Sequence, residues 1–138
     1  MFNANVRILV VDDFLTMRKV VKKVLTDCGF SVIEEAEDGN VALSKFKEAA
    51  ASGQPYGLIV SDWNMPNMKG IDLLKAVRAE EFGKNLPFLM VTAESEQKCI
   101  IEAIKAGVSD YVIKPFNADT VKQKLAKAYV KHNGAKAA

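Results

Sequence analysis

Residues 57–70 read GLIVSDWNMPNMKG, an apolar run that ends at Asp62 and passes into a polar segment containing proline. A short apolar run closed by a turn is typical of a buried strand. A carboxylate at the carboxyl end of such a strand lies at the edge of a parallel sheet, where open α/β folds bind their ligands. Asp62 is therefore the first candidate functional residue.

Other apolar runs also end in polar residues. These ends are Asp12 and Asp13 after residues 6–11, Thr92 after residues 88–91, and Lys114 after residues 110–113. Buried carboxylates are costly unless they are paired or bind a metal. Together with Asp62, this set of carboxylates, a hydroxyl and an ammonium suits a hard divalent cation and a phosphoryl group.

Between these runs lie segments whose apolar residues have the spacing of one helix face. From this spacing we interpret Met17, Leu74 and Ile101 as core residues. The run at 31–36 is less apolar and is predicted to be an edge strand. Five strands alternating with five helices predict a doubly wound α/β fold, in which a parallel sheet is covered on both faces.

Length and composition favour one ordinary domain. At 138 residues the chain can form a substantial core, and we expect an ordered core over about 6–131 and a flexible tail over 132–138. The balance of 19 basic and 17 acidic residues gives no indication of nucleic-acid or membrane binding. Cys28 and Cys99 are isolated in the sequence, which favours reduced thiols and a cytoplasmic protein.

With these residues placed, the whole chain resembles a response-regulator receiver domain of the chemotaxis type. The resemblance is carried by VVDDF at 10–14, EAEDG at 35–39, SDWNMPNM at 61–68, MVTAE at 90–94 and KPF at 114–116. It implies the flavodoxin-like strand order 2-1-3-4-5 for a five-stranded parallel sheet flanked by five helices.

The resemblance also implies the chemistry of the site in two-component signal transduction. Asp62 is expected to be the phosphoacceptor, whose carboxylate attacks a phosphohistidine and becomes an acyl phosphate. Mg²⁺ is the expected cofactor, with Asp13 as a direct ligand and Asp12 as a ligand through water. Asp62 and the backbone carbonyl of Asn64 are expected to complete the protein ligands.

Further roles follow from the same resemblance. Thr92 and Lys114 are expected to contact the phosphoryl group, and Tyr111 is expected to turn inward behind it. Asn64 and Glu94 occupy the positions that tune self-dephosphorylation. A cis peptide bond between Lys114 and Pro115 is implied as well.

The expected output is protein contact, because no DNA-binding domain follows. The expected partners are a histidine kinase of the chemotaxis type, a flagellar motor switch protein and a phosphatase, bound by a monomer. No enzyme activity is expected beyond self-phosphorylation from small phosphodonors and self-dephosphorylation. The predicted partner face, on the fourth helix, fifth strand and fifth helix, comprises Lys98, Tyr111, Val112 and Lys124.

The chain departs from the chemotaxis-type pattern at two places, and the second of them leaves an alternative function open. The stretch Ala49–Pro55 lengthens the connection before the third strand, and Glu96–Gln97 stands where related sequences often carry lysines. A phosphate shuttle or sink in another phosphorelay is therefore one alternative. A small-molecule aspartyl phosphatase is disfavoured, because Asn64 stands where a second acid is expected. A flavin carrier of the flavodoxin type is disfavoured too. This chain has no phosphate-binding loop after the first strand, where the sequence is acidic.

Overall fold

The chain, described here by a computed structural model, is defined for residues 2–93 and 97–137, with side chains as far as residue 132. Within these residues, five strands and five helices alternate as the sequence predicts. The strands are β1 Ile8–Val11, β2 Ile33–Ala36, β3 Leu58–Ser61, β4 Phe88–Thr92 and β5 Asp110–Ile113. The helices are α1 Leu15–Asp27, α2 Gly39–Ala51, α3 Gly70–Ala79, α4 Gln97–Lys105 and α5 Ala118–Ala137, with a short 3₁₀ turn at Glu81–Gly83.

The strands form one parallel sheet in the order β2-β1-β3-β4-β5, which confirms the implied order. Strand β2 lies at the edge, as predicted. The register pairs Val11 with Ser61 and Thr92 with Ile113, so β1 and β3 end together, and β4 and β5 end together two residues farther on, because Ser61 pairs with Met90. The residues that follow β1, β3 and β5 are therefore brought to one edge of the sheet.

Each face of the sheet carries its own apolar core, because successive side chains of a strand point to opposite faces. Leu9, Ile59 and Met90 are among the strand residues that pack with α2, α3 and α4. Ile8, Val10, Leu58 and Val60 face α1 and α5, where they meet Val21, Leu25, Val121 and Leu125. Both cores are closed to water. No helix among the described residues is long and apolar enough to cross a membrane.

The core assignment of Ile101 is wrong, because its side chain is 42% exposed. Helix α4 turns its small residues toward the sheet, namely Cys99 and Ala103, followed by Ala106. Two of its branched residues, Ile101 and Ile104, lie outward. Apolar bulk is therefore a poor guide to the buried face of this helix, whereas Leu74 on α3 is fully buried as predicted.

Arg78, near the end of α3, ties three chain segments together at the amino-terminal edge of the sheet. Its guanidinium donates to the carbonyl of Gly107 at 3.0 Å and 2.8 Å, and to the carbonyls of Gly83 at 2.7 Å and Leu86 at 2.5 Å. Burial lowers the pKa of Arg78. These carbonyls precede β4 and β5, so Arg78 fixes the entry of both strands.

His132 holds the end of α5 against the same edge. Its Nδ1 lies 2.8 Å from Asn85 Oδ1, and its Nε2 lies 2.5 Å from Ser109 Oγ. Because Asn85 Oδ1 can only accept, Nδ1 carries the ring proton and Nε2 accepts from the Ser109 hydroxyl. Burial, with the nearby charges of Arg78 and Lys131, lowers the pKa of His132 to about 4. Helix α5 extends to Ala137 and so includes most of residues 132–138, for which the sequence predicts a flexible tail.

We expect acid to weaken the fold through His132. Its pKa falls from 6.5 to about 4 on folding, so below pH 6.5 the unfolded chain takes up the proton first. The contribution of His132 is complete above this pH and is lost as the pH falls toward 4. At about pH 5 the loss should be about 1–2 kcal/mol. Urea unfolding at about pH 7.5 and about pH 5 measures it, with the non-titrating His132→Gln as control. Equal losses in the two proteins would contradict the prediction.

Candidate functional site

Three carboxylates lie together at the carboxyl edge of the sheet. Asp12, Asp13 and Asp62 each offer an oxygen within 4.8 Å of the others. Asp12 and Asp62 are buried, whereas Asp13 is exposed. Like charges held this close repel one another, and a cation between them would offset that repulsion. A cluster of carboxylate oxygens with access from solvent fits Mg²⁺, which prefers hard oxygen ligands and retains several waters.

Lys114 joins this cluster from the end of β5. Its Nζ lies 3.2 Å from Asp12 Oδ2 and 3.4 Å from Asp62 Oδ2. Its backbone N–H donates to the carbonyl of Thr92 at 2.9 Å, which keeps the ends of β4 and β5 together. The peptide bond from Lys114 to Pro115 is cis, as the resemblance implies. One ammonium group thus reaches two of the three acids.

Burial disfavours the charged form of Asp12, and hydrogen bonds and a nearby cation partly offset this effect. Burial raises the pKa of Asp12, and the charge of Asp62 raises it further. The N–H of Phe14, which donates to Asp12 Oδ1 at 3.0 Å, and the ammonium of Lys114 act in the opposite direction. Arg18 donates to the carbonyl of Asp12 at 2.6 Å and so fixes the backbone on which this acid stands.

Both oxygens of Asp62 are oriented. Oδ1 accepts from the N–H of Trp63 at 2.7 Å, while Oδ2 faces Lys114. The backbone behind them is held too, because Ser61 Oγ donates to the carbonyl of Asp62 at 2.9 Å. Gly70 packs against this carbonyl so closely that a Cβ there would lie 2.0 Å from the oxygen. The arrangement presents a carboxylate of fixed orientation beside an acid cluster and a cation.

The matching family settles the classification. The family model for the response regulator receiver domain matches residues 8–126, which include all four of the residues that meet at this edge. The chain belongs to the response regulator receiver family. Receiver domains are signalling proteins and not classical enzymes.

Relatives of this receiver domain include chemotaxis proteins from two organisms. Chemotaxis protein CheY-3 of Vibrio cholerae is 51% identical over 127 residues, which cover 92% of this chain and 94% of that protein. Chemotaxis protein CheY of Pseudomonas aeruginosa is 52% identical over 128 residues, which cover 93% of this chain and 99% of that protein. The receiver domain is therefore of the CheY type, a chemotaxis response regulator.

Solved structures agree with this assignment. Vibrio cholerae CheY4 superposes with a TM-score of 0.79 at 35% identity, over 90% of this chain and 98% of that one. A CheY chain from Borrelia burgdorferi, solved as a CheX-CheY-BeF3-Mg2+ complex, superposes with a TM-score of 0.81 at 27% identity. That match covers 91% of this chain and 90% of the other.

Of the predicted site residues, the receiver fold brings Asp12, Asp13, Asp62 and Lys114 together. Thr92 is fully buried at the end of β4, and Tyr111 is half-buried against the core beneath α4. The side chain of Asn64 is exposed. Glu94 and Glu96 lie outside the described residues, so the prediction for Glu94 stays a prediction.

The predicted partner face needs one correction. Val112 is only 1% exposed and packs with α1 and α5, whereas the neighbouring Ile113 is 37% exposed. Strand side chains alternate between faces, so Ile113 shares the outer side with Tyr111. A groove of about 480 Å³ on this surface is lined by residues that include Ile104, Tyr111, Ile113 and Lys124. Lys98 is exposed, whereas Lys124 is half-buried and pairs with Asp110 at 3.2 Å, and their role in partner binding stays a prediction.

Sequence reasoning missed two supports of the site. Arg18, besides its bond to Asp12, donates to Glu35 on β2 at 3.1 Å. This pairing depends on strand order and has no local signal. Asp38 caps α2 by accepting from the N–H of Val41 at 2.9 Å. An Asp directly before a helical segment is a recognised capping signal, so this residue could have been found.

Proposed function

We propose that this receiver domain is a regulator of flagellar rotation in the cytoplasm, phosphorylated on Asp62 by a histidine kinase of the chemotaxis type. The observation that carries the proposal is the contact of Lys114 with both Asp12 and Asp62 at 3.2 Å and 3.4 Å. A carboxylate that is already oriented, held beside a mobile cation, suits attack on a phosphoryl group. The similarity to chemotaxis proteins from two organisms supports the choice of pathway.

Transfer proceeds by displacement at phosphorus. An oxygen of Asp62 attacks the phosphorus of the phosphohistidine, a P–O bond forms, and the P–N bond breaks with its electron pair leaving on the imidazole. Because the N–H of Trp63 and the ammonium of Lys114 orient the carboxylate beforehand, little ordering remains when a donor arrives. Attack by water on the same phosphorus later releases inorganic phosphate and restores Asp62.

Asp13, Asp62 and the carbonyl of Asn64 would hold Mg²⁺ directly, and Asp12 would hold it through water. When bound, Mg²⁺ supplies positive charge that offsets repulsion between these carboxylates and an incoming phosphoryl group. The mutual approach of the three acids supports this assignment. The same ion is named in the complex of the Borrelia burgdorferi CheY.

The remaining residues would register the modification. Lys114 exchanges its contact with Asp62 for a phosphoryl oxygen, a task that suits a flexible point charge. The hydroxyl of Thr92 donates to another oxygen, and Tyr111 turns inward behind it. Asn64 and Glu94 position the water that attacks the acyl phosphate.

Output would pass through the face of α4, β5 and α5. Ile104 and Ile113 supply exposed apolar surface there, and Lys98 supplies positive charge beside the ion pair of Lys124 with Asp110. Such a surface suits an acidic segment with apolar anchors from a motor switch protein. A phosphatase is a further proposed partner, and the regulator is proposed to act as a monomer.

The decisive experiment is to titrate a peptide from a motor switch protein against free and beryllofluoride-treated protein. The treated form should bind about tenfold more tightly, because a ligand shifts an equilibrium only through its differential affinity for the two states. Asp62→Asn, which offers no carboxylate to modify, is the control and should show one affinity under both conditions. Equal affinities in the wild-type protein would overturn the motor output and favour a phosphate sink.

The metal site gives a separate prediction. Mg²⁺ should change the fluorescence of Trp63, the one tryptophan of the chain, which follows Asp62 directly. Asp13→Asn should weaken the affinity about tenfold or more, because it removes a charged ligand. Asp27→Asn, at the far end of α1, is the matched control and should leave the titration unchanged. A wild-type affinity in Asp13→Asn would mean that the ion binds elsewhere.

A further inference from the structure

The loop from β3 to α3 is fixed at its base. The N–H of Gly70 donates to the carbonyl of Trp63 at 2.8 Å, so the two ends of the loop meet directly behind Asp62. A Cβ at Gly70 would collide with the carbonyl oxygen of Asp62, which restricts this position to glycine. The loop therefore leaves the nucleophile and returns to it within a few residues.

The tip of this loop is strained. Asn67 has a φ of +66°, which is uncommon for a residue other than glycine. The N–H of Met68 donates to the carbonyl of Pro66 at 2.7 Å and closes a three-residue turn around Asn67. Turns of this kind persist only where the surroundings hold them.

The surroundings that hold the tip belong to α2. Asn67 Nδ2 donates to Asp38 Oδ2 at 2.9 Å, while Asp38 Oδ1 caps the helix. Both bonds lower the pKa of Asp38, so this buried carboxyl stays ionised and accepts through both oxygens. Met68 packs on Gly39 so closely that a Cβ at Gly39 would lie 2.7 Å from Met68 Cγ.

We propose that Asn67 is a positioning residue for the chemistry of Asp62, acting through its bond to Asp38. Asn64 lies between the fixed base of the loop and this tip, so both ends determine where its carbonyl and side chain lie. The inference rests on the proposed function, in which Asn64 contributes a metal ligand and tunes hydrolysis. Mg²⁺ demands nearly ideal ligand geometry, so loosening the tip of the loop should weaken Mg²⁺ binding.

Two substitutions break the same bond while keeping the other duties of each residue. Asn67→Gly removes the donor and accepts the positive φ, and Asp38→Ser removes the second acceptor and can still cap Val41. Each should weaken Mg²⁺ affinity about threefold to tenfold in the full chain, measured by Trp63 fluorescence. Each should also change the rate of acyl-phosphate hydrolysis. The double variant should be no weaker than either single one, because the bond is lost only once.

An exchanged pair provides the rescue. Asn67→Asp alone places two carboxylates opposite each other and should weaken Mg²⁺ binding, while adding Asp38→Asn restores a donor and an acceptor and should recover it. Additive losses in the double variant, or no recovery in the exchanged pair, would overturn the positioning role. If the wild-type protein binds Mg²⁺ and the variants bind it with the same affinity, the positioning role of Asn67 is overturned while the proposed function stands. A wild-type protein that neither binds Mg²⁺ nor accepts a phosphoryl group would overturn the proposed function, and this role with it.

Discussion

Replacing Asp62 by asparagine will abolish modification of the protein by acetyl phosphate. The wild-type protein should gain one phosphoryl group in the presence of Mg²⁺, whereas the amide of Asp62→Asn is no nucleophile and should gain none. Intact-mass measurement decides the question. Asp72→Asn, an exposed acid in the first turn of α3, is the matched control and should be modified like the wild type. An adduct retained in Asp62→Asn would move the phosphoacceptor to another residue.

This loss will not reflect a damaged fold. Asp12 and Asp62 are carboxylates held close together, so they repel when no cation lies between them, and the charge of Asp62 raises the pKa of Asp12. Removing one charge relieves that repulsion, and Lys114 keeps its contact with Asp12. The free energy of unfolding of Asp62→Asn should therefore equal or exceed that of the wild type in metal-free buffer. A clear loss of stability would show that Asp62 has a structural role as well.

Arg78→Met should produce a large loss of stability. The substitution keeps apolar bulk but withdraws the donor from the carbonyls of Gly83, Leu86 and Gly107. Polar groups left without partners in a half-buried site should cost about 3–5 kcal/mol in total. Urea unfolding measures the loss. Lys75→Met, one turn earlier on α3, removes an exposed ion pair with Glu102 and should cost less than about 1 kcal/mol. Similar losses in the two variants would contradict the role of Arg78 as a clamp.

The parts of the fold that sequence predicts well are those with a local physical signal. Apolar runs that end at Asp12, Asp62 and Lys114 are enough to place these side chains at one edge, because the carboxyl ends of parallel strands lie at the same edge of the sheet. The strand order had to come from a resemblance, since no local pattern states which strands are neighbours. The roles of Thr92 and Tyr111 in signalling stay predictions.

Other features depend on packing that no short segment specifies. Val112 and Ile113 on strand β5 are both branched apolar residues, so the sequence does not say which of the two reaches the surface. The outward position of Ile101 has the same origin, because small residues form the inner face of α4. The bond between Asn67 and Asp38 joins residues far apart in sequence and becomes visible only in three dimensions.

The two cores have a consequence for synthesis of the chain on the ribosome. The core beneath α2, α3 and α4 is complete once Val108 has been made, whereas the opposite core requires Val121 and Leu125. Until α5 emerges, the nascent chain must expose the apolar side of β4 and β5 that this helix later covers. Chaperones that recognise such surface should therefore bind chains that end before Val121 and release chains in which α5 has emerged and folded.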